Sequence, residues 1–221
     1  MIQYYIDGQN LKDYGINVSQ VTGLFDLPKL KDVLRISWPN RHGEVVELSS
    51  PIYDVREIEM DCWISASSRI EFLTRANTAM VNLFARPNLR ELKIIYEEEK
   101  PLLYYCYLPS GLELTRKSKW DASLQVGRFT LKLVEPEPLK RVYRFSTASP
   151  NSTQLRFDFF DSSPQFTVYW GDGSFDVVKS GSSVSHSYAN EGDYLVAIVG
   201  MVDKIGGLIT QSEIDIIWNL L

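Results

Sequence analysis

Two histidines and two cysteines in 221 residues leave little material for metal or nucleophilic chemistry. His42 stands in a turn-rich stretch far along the chain from His186. Neither has the neighbours that metal-ligand spacing or a Ser-His-Asp relay requires. Cys62 and Cys106 lie inside apolar runs and read as buried free thiols; a disulfide between neighbouring strands finds no support in their spacing. Excess basic charge is absent too. There are 23 Lys and Arg against 28 Asp and Glu, a net charge of −5 with both signs interspersed, which argues against a nucleic-acid partner. No apolar run reaches the roughly 18 residues of a membrane-crossing helix, so no membrane insertion is expected. The opening residues, Met1 to Gly8, have neither the basic region nor the apolar stretch of a signal peptide, and a protein made in the cytoplasm is expected. No cofactor, metal site or catalytic residue is expected, and no binding residue is singled out.

What the chain does have is strand-like alternation, interrupted by one long helical pattern. Ser68-Arg69-Ile70-Glu71 is a capping box, in which Ser68 accepts from a first-turn amide and Glu71 reaches back to the Ser68 N–H. Phe72, Leu73, Ala76, Met80, Leu83 and Phe84 then share one face, with Arg69, Thr74, Arg75, Thr78 and Asn82 largely on the other. Pro87 ends the run, giving a helix over about 68–86. Such a helix must bury its stripe on a sheet, so the first domain is expected to be a β-barrel or sandwich with one helix.

Around the helix the strands follow in order. A short strand at 2–6 ends at Asp7-Gly8, and another follows Gly15. Residues 19–32 read as a loop. Val33–Trp38 and Glu44–Leu48 read as a hairpin through Pro39-Asn40-Arg41-His42-Gly43. Residues 57–64 alternate cleanly, with Ile58, Met60, Cys62 and Ile64 inward and Trp63 outward. Leu92–Tyr96 and Leu102–Leu108 flank a soluble tip at Glu97-Glu98-Glu99. The second arm of that hairpin is apolar on both faces, which suggests cover by the helix and by another subunit. Between Ala122 and Val134 the apolar phase shifts at Gly127, as a β-bulge would require. Glu135-Pro136-Glu137-Pro138 reads as a stiff linker, dividing the chain into domains at 1–136 and 140–221. Beyond it, short strand candidates and turn signals recur about every ten residues, as in a small antiparallel sandwich. Residues 201–221 fit a capping box and short helix or a terminal strand, the latter being the usual end of a sandwich.

Val168-Tyr169-Trp170-Gly171-Asp172-Gly173-Ser174, then His186-Ser187-Tyr188, then Glu191-Gly192-Asp193-Tyr194 form the sharpest motif. This combination resembles the polycystic-kidney-disease (PKD) repeat domain over roughly 140–200. The resemblance implies an Ig-like sandwich used as a spacer or binding module. Gly171 and Gly173 permit the positive φ of a tight turn, and Asp172 can bond nearby amides. His186 and Tyr188 share a strand face and can tie neighbouring loops. Asp172, Asp193 and His186 could instead serve a metal or act as base, but structural hydrogen bonding is the simpler role.

The order of segments in residues 1–136 resembles the N-terminal domain of phage distal tail proteins, the baseplate-hub family of long-tailed phages. It begins Tyr4-Tyr5-Ile6-Asp7-Gly8 and continues through Tyr14-Gly15-Ile16, a strand, the helix and Arg86-Pro87-Asn88-Leu89-Arg90-Glu91-Leu92. A strand holding Tyr104, Tyr105 and Tyr107 and a last long strand into a Pro-rich exit complete it. The resemblance implies a split β-barrel fold with one helix, in a non-enzymatic virion protein that forms a hexameric ring and contacts other tail proteins. A cell-surface adhesin or glycan-binding module is the alternative, with the PKD-like unit as its main clue. Twelve tyrosines and five tryptophans suit self-association as well as two ordinary cores.

Overall fold

A computed structural model describes residues 2–85, 88–119, 123–148, 154–159, 165–179, 181–205, 208–210 and 214–219. The described chain is mainly β with one α-helix and no closed barrel. Its elements begin with β1 (Gln3–Ile6), β2 (Gln9–Asn10), β3 (Ile16–Thr22), β4 (Arg35–Ile36), β5 (Val45–Val46) and β6 (Arg56–Ala66). The helix α1 (Arg69–Ala79) follows and runs on as a π turn over Met80–Phe84. Then come β7 (Arg90–Ile95), β8 (Leu102–Cys106), β9 (Thr115–Arg116) and β10 (Gln125–Glu135). The C-terminal strands are β11 (Lys140–Thr147), β12 (Gln154–Phe159), β13 (Phe166–Tyr169), β14 (Phe175–Val178), β15 (Ser183–Ser187), β16 (Gly192–Gly200), β17 (Leu208–Thr210) and β18 (Asp215–Asn219). Internal contacts divide the chain into two compact units, one of residues 11–89 with 105–138, the other of 1–10, 90–104 and 139–221.

The first of these units is built on a sheet in the order β3-β6-β10-β9, with α1 packed against β6 and β10. Even-numbered residues of β6 and odd-numbered residues of β10 are buried, as period-two alternation demands. The Ser68 hydroxyl accepts from the Glu71 N–H at 3.2 Å, so the cap forms. The Glu71 carboxylate, however, bonds chiefly to the Ser67 hydroxyl and N–H, one residue before the expected partner. Phe72, Ala76, Ala79 and Leu83 form the buried stripe, whereas Leu73 is half exposed on the flank. Pro87 lies outside the described residues.

Two expectations fail here. There is no bulge at Gly127: β10 pairs with β6 in one unbroken register from Gln125 opposite Ala66 to Glu135 opposite Arg56. The glycine is used for a close approach, since a Cβ there would stand 2.9 Å from the Phe72 ring and 3.0 Å from Leu114. The apolar Leu124 that suggested a phase change is simply exposed. A register shift occurs instead in β3, between Val18 and Gln20, within a strand that extends through residues read as loop. Secondly, all five residues of β8 are buried within the single chain, so no neighbouring subunit is needed to cover it. Both cysteines are buried free thiols, and burial, with Asp61 adding, pushes the Cys62 thiol up to about 12.

The second unit contains the sheet β2-β1-β7-β8 and a sandwich of two sheets, β14-β13-β16-β11-β18 over β15-β12-β17. Phe145, Leu155, Phe157, Phe166, Val168 and Trp170 lead its core. The last described strand is β18, paired with β11. The alternative capping box at Thr210–Glu213 falls mostly outside the described residues.

Candidate functional site

Trp170, Asp172, Ser174, Asp176, His186 and Tyr188 form a single network around one tight turn. Gly171 and Gly173 have φ of +82° and +93°, and a Cβ on Gly171 would lie 2.5 Å from the Leu195 carbonyl oxygen. No L side chain fits that position. The Trp170 N–H donates to the Ser174 carbonyl at 3.1 Å, closing the turn. Asp172 Oδ1 accepts from the Ser174 N–H at 3.0 Å and from the Ser174 hydroxyl, and Oδ2 bonds His186 Nε2 at 2.7 Å. The His186 ring stacks on Trp170, 5.0 Å between centroids at 16°, and meets Tyr188 edge-on at 4.8 Å. The Tyr188 hydroxyl donates to the Trp170 carbonyl at 3.0 Å, and Trp170 Nε1 donates to Asp176 at 2.8 Å.

This arrangement ties loops together. Ser174 bonds Asp172 and not the imidazole, so a nucleophile–base pair is not formed. Asp193, the other candidate, bonds Ser146 and stays apart from the turn. Among the described residues no group of three or more His, Cys, Asp or Glu could hold a metal ion. Burial alone would raise the Asp172 carboxyl, but bonds from the Ser174 hydroxyl and N–H, and from His186, hold it below the ordinary value. Burial, with Asp172 and Tyr194 adding, pushes the Tyr188 phenol up.

The Asp172 shift gives a pH dependence of definite sign. A depressed folded pKa contributes stability above the unfolded value and loses it as pH falls through the folded value. Wild type should therefore exceed Asp172→Asn in urea midpoint at neutral pH, and the gap should close below pH about 4. A gap unchanged between pH 7 and pH 3 would refute the assigned role.

A second feature was only partly visible in the sequence. Residues 25–55 form a two-legged arm. Leu30 bridges Tyr53, Lys31 N–H donates to Ile52 at 2.8 Å, Glu47 N–H donates to Leu34 at 3.0 Å, and β4 pairs with β5. Nearly every side chain on it is exposed, apolar ones included: Leu27 is 78% exposed, Phe25 69% and Leu34 66%, with Trp38, Leu48 and Ile52 all above half. The root is firmly held. Gly23 passes so close to Glu57 that a Cβ would overlap its carbonyl, 2.0 Å away. Arg56 donates to the Leu24 carbonyl at 2.7 Å while its Nε lies 3.3 Å from the Glu135 carboxylate. The hairpin was legible; the exposure of its apolar residues was not. Trp63, expected to face outward, is 38% exposed.

No protein-family model and no curated protein matches this chain. Among solved structures it is similar to the Dit protein (gp 19.1) of phage SPP1, described as a paradigm of the hub adsorption apparatus in phages that infect Gram-positive bacteria. That likeness has 15% identity and a TM-score of 0.49, and covers 90% of this chain and 98% of the other. A chain of the phage p2 baseplate, in its activated conformation with Sr, is similar at 10% identity and a TM-score of 0.42, covering 100% of this chain and 95% of that one. With both scores below 0.5, these likenesses assign nothing to this chain.

Proposed function

We propose that this chain is a non-enzymatic structural protein of a phage tail tip, which assembles with copies of itself and with other tail proteins in the virion. The observation that carries the reading is the apolar arm at residues 25–55. Monomeric proteins seldom expose apolar surface in such continuity, and interfaces use it. An arm with a fixed root and an uncovered surface is suited to lie on a neighbouring subunit. The segment order of residues 1–136, with its likeness to distal tail proteins, supports a closed ring, of six copies by that resemblance. In this reading residues 1–136 and 140–221 are the functional divisions, and the C-terminal division is a PKD-like sandwich held by its Trp170–Asp172–His186–Tyr188 network. An adhesin module is the competing reading, and it requires no self-association.

The arm can be removed cleanly. Leu30 and Tyr53 are bridge partners, so a short Gly-Ser turn can replace residues 31–52. Sedimentation velocity should show the intact chain associating and the trimmed chain monomeric. Equal association of both would exclude the arm as the interface.

A further inference from the structure

The edge of β10 is incomplete at one place. Tyr107 and Val134 exchange both backbone bonds at 2.9 Å, and further along Thr115 pairs with Arg128 while Lys117 N–H donates to Val126 at 2.8 Å. Between these two anchor points residues 108–114 face the shorter stretch 129–133, and the surplus bulges away from the strand. Pro109, without an N–H, could not complete a ladder there. Bond directions alternate along an antiparallel strand. Since Val126 and Val134 point their backbone groups outward, Thr130 and Lys132 do so too, and no described backbone group pairs with them.

The bulge encloses an open hollow of about 460 Å³. Lys117, Arg128 and Lys132 line it, with the hydroxyls of Ser110, Thr115 and Thr130, and Glu113 is the one carboxylate among its lining residues. Among the described residues Lys117 has no ion-pair partner. Arg128 and Lys132 reach Asp61 at 3.2 Å and Glu59 at 3.6 Å, but both cations are well exposed, and such pairs hold weakly. Lys117 and two outward N–H groups, beside two cations held only by weak exposed pairs to Asp61 and Glu59, make a site for carboxylates, with Glu113 the lining acid that opposes them.

The chain carries a matching group. At the tip between β7 and β8, Lys100 N–H donates to the Glu97 carbonyl at 3.2 Å. Arg144 Nη2 donates to the carbonyls of Glu98 at 2.6 Å and Glu99 at 3.2 Å. The Lys100 ammonium lies 5.7 Å over the Trp218 ring. The nearby cations thus fix the tip's backbone or rest on an aromatic face. The carboxylates of Glu97, Glu98 and Glu99 stay exposed, with no ion pair among the described residues.

We propose that the Glu97–Glu99 tip of one copy docks in the Lys117–Arg128–Lys132 hollow of the next. Its carboxylates accept from Lys117, from Lys132 and from the N–H groups of Thr130 and Lys132. This rests on the self-association proposed above and adds a polar contact distinct from the arm. A tip-to-hollow contact is head-to-tail, the kind that closes rings.

Charge reversal tests it in the full-length chain. Lys117→Glu with Lys132→Glu, and separately Glu97→Lys, Glu98→Lys and Glu99→Lys, should each weaken self-association by about tenfold or more. An equimolar mixture of the two variants should recover it, because each reversed group then meets its opposite. Misfolded variants could not rescue one another, and thermal melts of each serve as a check. Variants that associate like wild type, or a mixture without recovery, would overturn the docking while leaving the tail-tip reading in place. A wild-type chain that stays monomeric would overturn both.

Discussion

Trp170→Ala should cost the C-terminal sandwich about 3–5 kcal/mol, the usual penalty for emptying a buried aromatic site. The ring is fully buried, stacks on Phe157 at 5.8 Å and on His186, and holds Asp176 through its indole N–H. Its removal opens a cavity at the point where both sheets and the glycine turn meet. A small domain has about 5–15 kcal/mol in total, so much of this sandwich should be unfolded in the variant. Trp170→Phe keeps most of the ring and forfeits mainly the bond to Asp176, worth about 1 kcal/mol. Urea unfolding followed by near-ultraviolet circular dichroism separates the two. Similar costs for both variants would show that the indole bond, and not packing, carries the site.

Arg56→Leu is expected to cost about 3–5 kcal/mol, because it takes away the guanidinium that faces the buried Glu135 carboxylate. Arg56 is 5% exposed and Glu135 1%. The same guanidinium holds the Leu24 carbonyl at the root of the arm, so the variant should also loosen the arm and weaken self-association. Replacing both residues by leucine removes both buried charges together and should return most of the lost stability. A double-mutant cycle in urea reads the coupling. Additive losses would mean that the pair is not an energetic unit.

Strands β6, β10, β12 and β13 were legible because alternation at period two is strong in each. The capping Ser68 and the turn glycines were legible because their roles are local. The larger failures were tertiary. The missing Cβ of Gly127 makes room for Phe72, a residue more than fifty positions away, and local pattern cannot distinguish that from a bulge. Exposed and buried apolar residues look alike in sequence. So β8 suggested a subunit contact that the chain itself supplies, while the uncovered residues of the arm passed as an ordinary hairpin. In the glycine turn, a bond from Asp172 to a nearby amide was expected from the motif, but its bond to His186 and the Trp170–Asp176 bond were not. The hollow beside β10 arises from the mismatch between residues 108–114 and 129–133, which only the pairing at both ends reveals.

The most direct measurement of the central claim is the mass of the intact chain in solution by light scattering, over a range of concentrations. A tail-tip ring protein should give a discrete multiple of 25.3 kDa, six being the multiple implied by the distal-tail resemblance. A mass of 25.3 kDa at every concentration would contradict self-association and leave the exposed arm without the role proposed for it.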